Sequence, residues 1–102
     1  MKTGIDLIAE ERQRQVESEG WTAEHDDGHD RGQIAVAALN YLMFVCDNRR
    51  FGDDVTYRWP WSGAWWKPSD SNIRNLVKAG ALIAAEIDRI QRLELCEQCA
   101  VD

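Results

Sequence analysis

The sequence predicts a mainly α-helical domain: three helices, with a long irregular tryptophan-rich loop before the last. Two observations carry this. Apolar residues recur at helical spacing in three separate stretches, and residues 57–70 hold two prolines, a glycine and four tryptophans, a composition that no regular helix spans. A chain of 102 residues makes a single domain over 1–102. Its core is modest, because small domains bury a smaller share of their surface. Assembly into a homo-oligomer would relieve that limit.

The first helix is expected over Gly4–Glu19. Thr3 is placed to cap it, and Asp6 completes a capping-box pattern. Ile5, Ile8, Ala9, Arg12 and Val16 form its stripe, and Gly20 stops it. Trp21, directly after this glycine, is placed either to fold back into the core or to meet a ligand. Residues 22–32 are polar and read as a loop, with Asp26 or Asp27 capping the second helix. That helix is expected over Arg31–Cys46, with Ile34, Ala37, Ala38, Tyr41, Leu42 and Val45 inward and Cys46 as a small apolar member. Asp47–Thr56 is a second loop, containing Arg49, Arg50, Gly52, Asp53 and Asp54. The last helix is expected from Ser71 to about Glu94, capped by Asp70 or Ser69. Its predicted apolar face is Ile73, Leu76, Val77, Gly80, Ile83, Ala84, Ile87 and Ile90, with Gly80 marking a tight crossing.

Composition narrows the class of function. A hydrophobic share of 44% with 29% charged residues indicates a globular chain. No apolar run reaches membrane-spanning length. Met1-Lys2-Thr3-Gly4 leads into a charged helical pattern, so no secretory signal is expected and the cytoplasm is the predicted compartment. Cys46, Cys96 and Cys99 make no disulfide framework, and Cys96-x-x-Cys99 is only half of a four-ligand zinc set. The net charge of −6 opposes nucleic-acid binding. Yet residues 55–78 carry Arg58, Lys67, Arg74 and Lys78 against Asp70 alone. A basic island on an acidic body suits one compact anion.

Four of the five tryptophans, Trp59, Trp61, Trp65 and Trp66, lie within eight residues. Some belong to the core of so small a domain. Exposed indole faces would form a stacking platform for a purine or pyrimidine. Lys67 precedes the last helix, whose N-terminus favours an anion, with Ser69 and Ser71 as added donors. Arg74 and Lys78, spaced i and i+4, share one helix face. The cluster Glu24, His25, Asp26, Asp27, His29 and Asp30 lacks the spacing of a calcium loop or zinc hydrolase, so no metal or other cofactor is expected there. Polar contacts to a ligand are its predicted role. Carboxylate pairs such as Glu24/Asp27 and Glu94/Glu97 sit outside helix centres, unlike those of helical nucleotide pyrophosphatases.

The runs Ile8–Gln15, Glu19-Gly20-Trp21-Thr22, Glu24-His25-Asp26-Asp27, Trp59-Pro60-Trp61, Trp65-Trp66-Lys67-Pro68 and Leu76–Arg89 together resemble a group of small phage and prophage proteins. The order of Glu19-Gly20-Trp21-Thr22 and Tyr57-Arg58-Trp59-Pro60 is also similar to the repeat domain of ryanodine receptors, found too in bacteria and phages. A second helix here replaces that repeat's proline-rich centre. This resemblance implies binding of an adenine nucleotide or nucleotide signal, with Trp21, Asp26, Asp27, Arg58 and Trp59 near the pocket. The functional expectation is therefore non-catalytic binding of a nucleotide-like small molecule. By analogy with phage sponge proteins, that molecule would be a host immune signal such as a cyclic nucleotide or ADP-ribose derivative. Two alternatives stand beside it: a protein-binding module that inhibits a host factor, and a magnesium-dependent nucleotide pyrophosphohydrolase.

Overall fold

The structure is a computed structural model that describes residues 1–46 and 58–101, with side chains as far as Glu97. The loop expected over Asp47–Thr56, Tyr57 of the Tyr-Arg-Trp-Pro motif and the side chain of Cys99 lie outside the described residues. Four helices appear: α1 (Gly4–Glu19), α2 (Ala23–Asp27), α3 (Gln33–Cys46) and α4 (Asn72–Val101). A single 3-10 turn, Gly63–Trp65, interrupts the segment before α4. No described helix is long and apolar enough to cross a membrane.

Local chemistry sets the boundaries. The Thr3 hydroxyl accepts the Asp6 amide at 3.2 Å while the Asp6 carboxylate accepts the Thr3 amide at 2.9 Å, the predicted capping box. Gly20 ends α1 in the left-handed region at φ 75°, and the Trp21 amide donates back to the Gln15 carbonyl at 3.0 Å. The polar stretch that follows is not all loop. Thr22 caps a short helix through the His25 amide, and neither Asp26 nor Asp27 caps α3, because both lie within α2. Gly32, at φ 81°, turns the chain into α3, which starts at Gln33 rather than Arg31. For α4 the capping hydroxyl belongs to Ser71, which accepts from the Arg74 amide at 3.2 Å. Ser69 is used otherwise: its backbone is held by Asn75, fully buried, in two bonds of 2.8 Å. The helix continues beyond Glu94 to Val101.

The other helices pack on α4. The core is Ile34, Ala37, Ala38, Tyr41 and Phe44 of α3 with Val77, Ala79, Ala81, Leu82 and Ala85 of α4. Phe44 takes the inward place expected for Val45, because Trp66 meets its ring edge-on at 5.9 Å. Cys46 is exposed at the end of α3. The buried face of α4 differs from the one predicted. Its alanines turn inward, where small side chains let backbones approach, while Ile73, Leu76, Ile83, Ile87 and Ile90 remain exposed. On α1, Ile5 is exposed and Glu11 and Gln15 are buried instead, Glu11 between arginine partners described below and Gln15 beside it, donating to its carboxylate.

The tight crossing expected at Gly80 is real, and its neighbour is α1. A Cβ at this position would lie 2.6 Å from Ile8 Cδ1 and 2.9 Å from Cγ1. Gly80→Val is expected to cost about 2 kcal/mol through overpacking, read as a fall in Tm on the order of 10 °C for a domain of this size. Adding Ile8→Ala should restore part of the loss. Additive losses in the double variant would show that the two sites do not touch.

Candidate functional site

Two groups of aromatic rings form where the Trp-rich segment crosses the helices. Trp59 and Trp66 are partly buried against the helical core. Trp66 lies 4.8 Å from the Tyr41 ring, and Trp59 meets Trp66 edge-on at 5.1 Å. The Trp59 indole N–H donates to the Ser62 carbonyl at 3.1 Å, which pins the start of the 3-10 turn. The Ser62 hydroxyl in turn accepts the Ala64 amide at 3.3 Å. This turn aims Trp65 away from the core, leaving its side 43% exposed.

The second group surrounds a cleft of about 450 Å³, lined by Glu19, Trp21, His25, His29, Trp61, Ser62 and Trp65. That volume falls within the ordinary range for small-molecule sites. Trp61 and Trp65 are tilted by about 50° against Trp21, at 6.0 and 6.4 Å between centroids. His25 is nearly parallel to Trp21 at 6.3 Å. His29 closes the circuit, 4.9 Å from His25 and 5.2 Å from Trp61. Burial, and then the neighbouring His25, lower the His29 imidazole from its ordinary 6.5, with Asp26 acting in the opposite sense. Near neutral pH it is therefore an uncharged ring with one donor and one acceptor.

Buried charge holds this wall in place. Asp26 is 3% exposed, accepts from Arg12 at 2.9 Å and faces His25 Nδ1 at 3.3 Å. Arg12 also donates to the Trp21 carbonyl at 3.3 Å, so one guanidinium ties α1 to the residues on either side of Thr22. From the far side Arg92 of α4 grips the Asp27 carboxylate at 2.8 and 3.1 Å. Asp26 and Asp27 thus position the cleft without lining it.

The predicted cations do not gather with the indoles at the mouth of α4. Arg74 pairs with Glu11, which also takes Arg14 in two bonds of 2.8 Å. Lys78 donates to the Lys67 carbonyl at 2.7 Å, with its ammonium 5.7 Å from the Tyr41 ring. Lys67 lies over Trp65 at 5.4 Å. Arg58, exposed at φ 50°, does not line the cleft. The predicted set therefore divides. Trp21, His25, Trp61 and Trp65 meet around one space, with Lys67 at its edge, while Trp59 and Trp66 support it and Arg74 lies elsewhere.

Glu19 and Ser62 line the cleft without having been among the predicted residues, while His29 enters it from the polar cluster expected to contact a ligand. Comparison of the chain with family models, with curated proteins and with solved structures finds no match.

Burial raises the Glu11 carboxyl, but hydrogen bonds and charge from Arg14 and Arg74 outweigh it and hold the group below its ordinary 4.5. A lowered folded-state value means that this stabilisation is complete above pH 4.5 and is lost as pH falls through the folded value. Urea unfolding at a series of pH values should show wild-type stability falling below that point. Glu11→Gln should be weaker by about 2 kcal/mol at neutral pH, discounted for two half-exposed guanidiniums, and should lose less on acidification. A parallel acid loss in both proteins would remove Glu11 from this role.

Proposed function

We propose that the protein binds a nucleotide-like small molecule without turning it over, with the base stacked in the cleft of Trp21, Trp61 and Trp65. The observation that carries this reading is the enclosure of one space by three indoles and two imidazoles. Stacking on such rings contributes about 1–3 kcal/mol per base. Lys67, at the edge of Trp65, supplies the nearest predicted cation for an attached phosphate. The buried carboxylates support a binding role, because each is occupied by arginine: Glu11 by Arg14 and Arg74, Asp26 by Arg12, and Glu86 by Arg89. Such a binder acts by sequestration. Its resemblance to phage proteins makes a host nucleotide signal the cargo we propose.

The homo-oligomer expectation draws on a different feature, the exposed stripe Leu76, Ile83, Ile87 and Ile90 of α4 beside Leu39 of α3. Ile83, Ile87 and Ile90 repeat at intervals of four and three, the period of a helix–helix seam.

Tryptophan fluorescence and calorimetry against nucleoside monophosphates, cyclic dinucleotides and ADP-ribose test the cleft. Saturable binding to at least one is expected, with the nucleotide recovered unchanged by chromatography. Trp65→Ala should weaken that binding about tenfold with little change in stability. Trp66→Ala should instead destabilise the fold by about 3 kcal/mol or more. Absence of saturable binding across the panel removes the proposal, and cleavage of a nucleotide would replace it with an enzyme.

A further inference from the structure

Behind the cleft lies a smaller space of about 30 Å³. It shares Glu19, Trp21 and Trp65 with the cleft as a common wall, and its remaining lining includes Gln15, Tyr41, Lys67 and Lys78. Gln15 is 2% exposed, yet its Oε1 accepts from nothing among the described residues. An acceptor left so buried costs about 1–3 kcal/mol unless a donor reaches it. The orientation of the amide is fixed by Glu11, whose carboxylate only accepts and so takes Gln15 Nε2, at 3.4 Å.

The other side of this chamber offers donors. Lys78 uses one ammonium proton on the Lys67 carbonyl and retains two. The Tyr41 hydroxyl oxygen accepts the Lys67 amide at 3.4 Å, so its own proton remains to give. A group seated here must therefore donate toward Gln15 Oε1 and accept from Lys78 or Tyr41. A phosphate or carboxylate oxygen has no proton to give Gln15 Oε1, and charge does not decide the matter, since Arg14, Lys67 and Lys78 line the space beside Glu11 and Glu19. An ammonium cannot accept, and it would face Lys78. The space holds one or two water-sized groups, too little for a phosphoryl group. A hydroxyl meets each of these conditions.

Resting on the cleft as a stacking site, we infer that the ligand is a ribonucleotide, with a ribose hydroxyl entering this chamber past Trp21 and Trp65 and donating to Gln15 Oε1. The base stays among the rings and the sugar is read behind them.

Affinities of the four ribonucleoside 5′-monophosphates, each against its 2′,3′-dideoxy counterpart, test this by calorimetry. Wild type should prefer the ribo form by about tenfold to a hundredfold. Gln15→Met, which keeps the length and removes the acceptor, should bring that ratio toward one while dideoxy affinity stays within about threefold. Circular dichroism checks that the variant is folded, and the wild-type ratio decides the matter if it is not. Equal binding of both sugars by wild type overturns the inference and leaves the cleft as a base site. A ratio unchanged in folded Gln15→Met overturns the part given to Gln15. Binding of neither series removes the cleft reading and this inference with it.

Discussion

The architecture depends on arginine holding carboxylates in places where a larger protein would put hydrocarbon. Among the described residues five of the ten buried hydrophobic ones are alanines, which bring helices close but withdraw little apolar area from water. Glu11 therefore carries a burden beyond its own charge: with Arg14 on its own helix and Arg74 near the start of α4, it sets where α1 crosses. Removing one partner from such a cluster is costly, because the remaining charge stays in poor solvent. Arg12 with Asp26 and Arg92 with Asp27 repeat the device around α2. A helix of five residues has no stability of its own. Clamped from two sides, it still presents His25 at a fixed angle to Trp21.

Much of the fold was legible because its signals were local. Thr3 and Asp6 cap α1, Gly20 ends it and Gly80 receives Ile8, each through chemistry contained in one or two residues. What escaped was the choice of face. Hydrophobic periodicity assigned the isoleucines of α4 to the core, but the face that packs carries Ala79, Ala81 and Ala85 with Val77 and Leu82. Likewise Glu11 and Gln15 fell outside the stripe predicted for α1, and spacing alone did not single out Glu11 as the acid that Arg74, 63 positions away, would meet.

The same distinction governs the site. Clustering of Trp59, Trp61, Trp65 and Trp66 announced an aromatic surface, and the structure divides it by where each ring falls around one short turn. Ser62 is the hinge of this division: its carbonyl fixes Trp59 and its hydroxyl sets the turn that carries Trp65 outward. Spacing also suggested an anion site at the start of α4, since Arg74 and Lys78 share a face there. In three dimensions these two cations are drawn to different acceptors, a carboxylate and a carbonyl. Spacing placed Arg74 and Lys78 on one helix face, and the structure gives each its own acceptor.

A cleft of rings with few free charges has a consequence for selectivity. Stacking accepts any base, because each has a π face, so the aromatic wall alone would hold many nucleotides with similar strength. Discrimination has to come from groups that lose a hydrogen bond when the wrong molecule enters. Under the proposed reading His29, between His25 and Trp61, would be one such group on the open side. The buried face of Gln15 is another on the closed side. Rigid rings would supply affinity and the few polar atoms around them would supply choice, a division that suits a protein too small to enclose its ligand with loops.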